Sequence, residues 1–418
     1  MASDLSGKNG PTVVTLVLDA VGVRTLEYLL DNYRGEIDLS NLKYLGIGNI
    51  LAERFRPVIA PNKFAHLAAS VEQASASADS VIGHREMMGV INPNTYALFH
   101  DGFSPEYVAA LEKKIGRKLI FNKMSGGTQA IELNWQEHEK TSSPILYASD
   151  CDPIAQFAMD EAVIPVKEQK EIADAALALA VEMGVGMTRA IARPYVNDGT
   201  SRTRTPNRHD ATLPLQDRTL LDILHENGVY TFGVGKIGEL VPAGSLVNFK
   251  ITRKDLLDRL YGFNFVHPDG KKDTNPYSAQ ATLNAIHAAK EIYAPHGTFI
   301  LANFVDTDSV YGHESDVPGS LASLAEFDMV LDIIIKNLER GDILMVTADH
   351  GMRHNAVGTR GHHNVEPLPL LTMRIGYDNI GNIQLGQKRT LAEVGHVVAQ
   401  AFGCKDQYVR ECKLQDYL

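Results

Sequence analysis

TVVTLVLD, residues 12–19, is an almost unbroken run of β-branched and apolar side chains that stops at a carboxylate. A strand with one wet face would alternate apolar and polar residues. This run does not alternate, so it predicts a strand buried on both faces, as in a parallel sheet. Beyond Asp19 come a turn through Gly22 and a helical pattern from about Leu26. Two later runs repeat the arrangement: GTFILANFVDTD (297–308) and GDILMVTADH (341–350), each an apolar strand ending in acid. Between them Leu321, Leu324, Phe327, Val330, Leu331 and Ile334 fall at helical spacing, so residues 318–338 are predicted to be a helix. Strand, helix, strand is the grammar of an α/β fold. VYTFGVG (229–235), which runs into Lys236, and PLLTMRI (369–375) add two further strands. Ligands of parallel α/β sheets gather outside the carboxyl ends of the strands. Asp19, Asp308, Asp349 and His350 all stand at such predicted ends.

The chain has 418 residues, more than one core usually organises. Residues 1–100 and 218–418 are expected to form a core, and 101–217 an inserted cap. Within the cap the sequence suggests helical stretches at 107–116 and 170–184 and a loop-rich Pro, Gly and Arg segment at 193–210. Hydrophobic residues make up 44% and charged residues 22%, the composition of a globular protein. No stretch approaches the roughly 18 uninterrupted apolar residues of a membrane span. The opening MASDLSGKNG lacks the regions of a signal peptide, so a cytoplasmic location is expected. Three scattered cysteines, Cys151, Cys404 and Cys412, indicate neither a disulfide framework nor a thiolate zinc site. A net charge of −11 argues against nucleic acid as a partner, which would need clustered Lys and Arg. A small molecule is the expected partner, and no membrane is implied.

The chemistry-bearing residues recur in groups. DTDSVYGH sets Asp308 five residues before His313, TADHG supplies Asp349 and His350, and GHHNVEPLP supplies His362 and His363. Carboxylate and imidazole donors without thiolates suit manganese, zinc or iron, and magnesium less well. SADSVIGHREMMG contains Ser80, with Ser75 and Ser77 close by as other hydroxyls. Serine is a poor nucleophile unless a base or a metal activates it. Two divalent ions would do so and would also stabilise an in-line phosphoryl displacement. Arg193, Arg202, Arg204 and Arg208 crowd into RPYVNDGTSRTRTPNRHD. Guanidinium groups grip phosphate through paired hydrogen bonds, and Lys236 could reach a phosphate as well.

Taken together these residues resemble the phosphopentomutases of the alkaline phosphatase superfamily. VLDAVGV is similar to the family's opening metal-aspartate strand and ADSVIGHREMMG to its nucleophile segment. ILYASDCDPIAQFA, and IARPYV with RTRTPNRHD, resemble cap segments, and FGVGKI a later core strand. NFVDTDSVYGH, TADHG and HNVEPLPLL resemble the metal-binding tail. The resemblance implies an alkaline-phosphatase-like core, with a mostly parallel central sheet flanked by helices, and an inserted α+β cap. It implies a phosphomutase that transfers a phosphoryl group within a pentose or related sugar phosphate, of the ribose 1-phosphate to ribose 5-phosphate type, through a phosphoserine. Two divalent ions, manganese or else zinc, would be held by Asp308, His313 and His363 and by Asp19, Asp349 and His350. Ser80 would lie between them. Asp152, Arg193, Arg208 and Lys236 align with positions that contact the sugar or its phosphate, and Arg204 belongs to the same basic cluster. A sugar bisphosphate would serve as activator. His363 is preferred to His362 because Glu366 and Pro369 follow it at the family's spacing. Departures surround the site: Ala78 stands where the family has lysine, Arg85 where it has tryptophan, and His362 where it has aspartate. AVGVRTLEYLL follows Asp19 without the family's acidic, proline-containing loop. A phosphohydrolase or phosphonate hydrolase of the same superfamily is the alternative reading.

Overall fold

The computed structural model describes residues 9–63, 67–96, 98–149, 152–215, 217–240, 249–252 (backbone), 274–355, 360–377 and 389–408. Cys151 and Cys412 lie outside these residues, and Cys404 is buried with a free thiol. The chain divides into two compact units, Met1–Pro93 with Leu215–Leu418, and Asn94–Pro214. The sequence had suggested divisions at 100/101 and 217/218. No described helix is long and apolar enough to cross a membrane.

The first unit is built on a seven-stranded sheet. Its strand order is Phe249–Thr252, Tyr230–Gly235, Thr298–Phe304, Thr12–Leu18, Ile343–Thr347, Leu368–Arg374 and Leu67–Val71. The first five strands run parallel. Leu368–Arg374 is antiparallel to both of its neighbours, so it alone is reversed. Thr12–Leu18 sits centrally, with Val14 paired to Ile300 on one side and Leu344 on the other. Its alternate residues enter two different cores. Val14, Leu16 and Leu18 pack with the helices Asn275–Glu291 and Val317–Asn337, while Val13 and Val17 share a core with Leu220–Glu226 and Glu393–Ala401. This double burial is why the run carries no polar alternation. Each fully buried aliphatic side chain here contributes about 1.5–3 kcal/mol. The predicted helix at 318–338 is observed as Val317–Asn337.

The second unit holds a six-stranded mixed sheet. Four of its strands run in the order Ile120–Met124, Ile145–Ala148, Ile154–Asp160 and Arg189–Asn197, and Arg202–Arg204 and His209–Thr212 both pair with the last. Helices Pro105–Ile115 and Val166–Met183 share a core with the sheet residues Leu146, Phe157 and Ala190. Helix Gly127–Thr141 buries Ala130 and Ile131 against Ile145, Tyr147 and Tyr195. The structure corrects the reading of 193–210 as loop-rich. The segment forms parts of three strands, joined at one point by a turn in which the Asp198 carboxylate accepts the amides of Thr200 and Ser201. Strand Arg202–Arg204 is polar at every position, with Thr203 and Arg204 exposed, so it has no apolar periodicity to betray it.

Candidate metal centre and nucleophile

The ends of the parallel strands assemble a buried centre within the first unit. Asp19 follows Leu18 directly, and the next residue, Ala20, adopts φ of 63°, which turns its amide onto Asp349 Oδ1 at 3.1 Å. Asp308 is not at a strand end as expected. The strand stops at Phe304, and Asp308 lies in a short helix, Asp306–Ser309. Three consecutive residues there have three tasks. The Asp306 carboxylate accepts the amides of Thr274 and Asn275 at 2.7 and 2.6 Å, anchoring the start of helix Asn275–Glu291. Thr307 Oγ1 donates to the Asp19 carbonyl at 2.6 Å. Asp308 is thereby left facing the centre.

Two groups of donors result, Asp19, Asp349 and His350, and Asp308, His350 and His363, with one donor atom from each residue within 4.8 Å of the others. His350 belongs to both. His363 Nε2 lies 3.0 Å and His313 Nε2 3.2 Å from the same Asp308 oxygen, Oδ1, and the two rings stack at 5.0 Å. His363, not its neighbour His362, is the member of the group. Lys236 Nζ sits 3.1 Å from Asp19 Oδ2 and 3.4 Å from Asp308 Oδ2, a cation placed between the two groups.

These donors fit divalent metal ions. His350 Nδ1 lies 3.1 Å from the Gly351 carbonyl, which only accepts, so the proton is on Nδ1. The Nε2 lone pair then points at Asp19 Oδ1 (3.4 Å) and Asp349 Oδ2 (3.5 Å), an arrangement that a cation between them would reconcile. Negative charge is also crowded. Burial, reinforced by Asp349, lifts the Asp19 carboxyl to about 6, with Lys236 opposing. Burial pushes Asp308 and Asp349 up as well, but neighbouring imidazoles, and Lys236 for Asp308, carry both below the ordinary carboxylate range.

Ser80 is the first residue of helix Ser80–Met87, whose preceding residue Asp79 accepts the Val81 amide at 2.8 Å. Its Oγ lies 3.3 Å from Asp19 Oδ1 and 3.2 Å from His350 Nε2. Of the other hydroxyls in the segment, Ser75 Oγ instead accepts the amide of Asn92. The loop that leads to Ser80 is fixed by Glu86, whose buried carboxylate accepts the amides of Ala74, Ser75 and Leu391 at 2.8, 2.7 and 3.1 Å.

The remaining candidates lie in the second unit. Arg193 donates to Gln156 Oε1 at 2.9 Å, and Arg208 is bound bidentately by Asp210. Burial, then repulsion from Arg208 and Arg204, brings the Arg193 guanidinium down to about 9. Arg204 crosses so close to Gly127 that a Cβ there would meet its guanidinium at 1.8 Å. Asp152 is buried, 3.8 Å from Arg189, which lies equally far from Asp210. Arg202 is committed elsewhere, paired with Glu132 and over the Trp135 ring.

Comparison with known proteins gives this geometry a lineage. A family model described as "Metalloenzyme superfamily" matches residues 13–406. The phosphopentomutase of Pseudothermotoga lettingae is 32% identical over 406 residues, covering 94% of this chain and 96% of the relative. That of Thermotoga petrophila is 33% identical over 407 residues, covering 94% and 95%. The chain belongs to the phosphopentomutase family. It is therefore a metal-dependent phosphomutase, an isomerase of the metalloenzyme superfamily. Among solved structures, Leishmania mexicana phosphoglycerate mutase at low cobalt concentration covers 96% of each chain at 11% identity with a TM-score of 0.45.

The departures from the family pattern have definite places. Arg85 is buried on the Ser80 helix and donates to the Leu240 carbonyl at 3.4 Å, at the end of the helix that follows Lys236. His362 pairs with Arg353 across a two-stranded ribbon. Sequence reading missed residues that support the site. His84 contacts both Ser80 and Asp349, and the Asn303 amide donates to Asp19 Oδ2 at 3.2 Å. Glu366, noted in the sequence for its spacing behind His363, accepts from Thr25 and Asn364 and braces the loop there. Of the missed residues only His84 left a local signal, standing four residues after Ser80 on one helical face.

Proposed function

We propose that the enzyme interconverts ribose 1-phosphate and ribose 5-phosphate, or closely related pentose phosphates, through a phosphorylated Ser80. One manganese ion would be held by Asp308, His313 and His363 and the other by Asp19, Asp349 and His350. Bound there, the ions lower the proton affinity of a hydroxyl and neutralise charge on a phosphoryl group in flight. Ser80 Oγ carries the phosphoryl group. Phosphoserine donates it to the free hydroxyl of the sugar phosphate, and the resulting bisphosphate returns its other phosphoryl group to Ser80. That cycle explains why a sugar bisphosphate would activate the enzyme. Arg193, Arg204 and Arg208 supply guanidinium groups to a substrate phosphate, Asp152 accepts from a sugar hydroxyl, and Lys236 moves from the carboxylates to a phosphate oxygen. Residues 94–214 act as an inserted cap, and the enzyme works in the cytoplasm.

The observation that carries this reading is Ser80 Oγ in contact with both Asp19 and His350, inside a buried set of carboxylates and imidazoles. Ribose 1-phosphate supplied with manganese and a trace of bisphosphate should yield ribose 5-phosphate with little free phosphate. Ser80→Ala should abolish phosphoenzyme and turnover. Release of inorganic phosphate as the main product, or turnover by the Ser80→Ala protein, overturns the proposal.

A further inference from the structure

We propose that His84 is a positioning residue that ties the nucleophile Ser80 to the metal ligand Asp349, an inference that rests on the reading of the site given above. His84 is completely buried, one helical turn after Ser80. Its Nδ1 lies 2.8 Å from the Ser80 carbonyl and 3.3 Å from Asp349 Oδ2. A carbonyl can only accept, so Nδ1 carries the proton and directs it at the nucleophile's own backbone and at the carboxylate together. The other ring nitrogen, Nε2, is buried without a hydrogen-bond partner among the described residues. The polar role of the ring is thus concentrated at Nδ1.

Asp349 shows what that contact does. Its Oδ1 accepts the amides of Ala20 and His350, both at 3.1 Å. Oδ2 accepts no hydrogen bond among the described residues and is the oxygen left for a metal ion, with His84 Nδ1 at 3.3 Å on one side and His350 Nε2 at 3.5 Å on the other. Gly83, the preceding residue, has no side chain where the Asp349 carbonyl passes, since a Cβ there would lie 2.0 Å from that oxygen. Gly83 permits the close approach of the two segments, and His84 fastens them. Ser80 Oγ and Asp349 Oδ2 thereby share one anchor, so the hydroxyl is registered against the ligand set rather than against the sheet at large. Outer partners of this kind typically affect metal affinity about 10- to 100-fold.

Two substitutions separate positioning from space-filling. Leucine at position 84 keeps an apolar volume and has no donor; asparagine is smaller and can place its amide N–H near the position of Nδ1. The expected result for His84→Leu is manganese affinity weakened about 10- to 100-fold by calorimetric titration of the metal-free protein. Its phosphoenzyme formation and kcat should fall, while KM for the sugar phosphate changes little. His84→Asn should retain affinity within about threefold of the unaltered protein. Unchanged affinity and rate in His84→Leu overturn the inference. So does a His84→Asn protein that is unfolded or as defective as His84→Leu. Failure of the site reading looks different: the unaltered protein would bind fewer than two manganese ions, or Ser80→Ala would still form phosphoenzyme.

Discussion

A single methyl group at Gly83 should separate nucleophile from metal ligands. The added Cβ would lie 2.0 Å from the Asp349 carbonyl oxygen and 2.7 Å from its carbonyl carbon. Carbon and oxygen in non-bonded contact need about 3.3 Å, so helix and loop must part by about 1.3 Å. Both obstacles are backbone, so no side-chain rotation relieves them. Ser80 is on the same helix and moves with it. A misplacement of about 1 Å at reacting atoms costs about 100-fold in rate. Stability should suffer less: overpacking costs about 1–3 kcal/mol. Alanine in place of glycine inside a helix returns about 1 kcal/mol. Gly83→Ala should therefore remain folded in urea titrations while its phosphoenzyme, measured by rapid quench and mass analysis of the Ser80 peptide, forms about 100-fold more slowly. Gly126→Ala is the control, because nothing lies within 4 Å of a Cβ there. Phosphoenzyme formation by Gly83→Ala within threefold of the unaltered rate would refute the claim that this backbone contact places Ser80.

Chelation should lower the melting temperature, and manganese restored at about 100 times its dissociation constant should recover about 2.7 kcal/mol per site; a melting curve indifferent to manganese contradicts the metal assignment. Asp306→Ala removes the acceptor of the Thr274 amide, the Thr274 hydroxyl and the Asn275 amide. It should destabilise the metal-free chain by about 3 kcal/mol in urea, and a loss under 1 kcal/mol would deny the anchoring role. Arg208→Ala should raise KM for the sugar phosphate about 10- to 100-fold with manganese affinity unchanged. Equal KM for both proteins would remove Arg208 from the substrate site.

How much of this was legible depended on whether a residue's role is local or made by a distant partner. Thr12–Leu18 announced itself because burial on both faces demands apolar residues at every position, and that demand is written in consecutive letters. Asp19, Asp349 and His350 could be nominated because strand ends of a parallel sheet converge, so composition at those ends already implies a shared location. The hairpin at 193–210 escaped because a polar strand has no apolar period. The supporting shell escaped for a different reason. Thr307 acts on the carbonyl of Asp19, 288 positions away, and Asn303 on the carboxylate of the same residue. Neither an asparagine inside a strand nor a threonine just past its end signals such a partner.

The two groups of donors show the same limit more sharply. Division into two separate triads, which the family resemblance implies, treats each residue as the property of one ion. In the structure His350 stands in both groups, and Asp308 Oδ1 is shared by His313 and His363. The centre is therefore a continuous network, in which Ser80 touches the imidazole common to both groups. Two ions bound by these groups would both act on Ser80 through a single side chain. In the proposed cycle this has a consequence, because Ser80 would both give up a phosphoryl group and recover one. A hydroxyl held against the imidazole that the two groups share would serve both directions without rearrangement of the ligands.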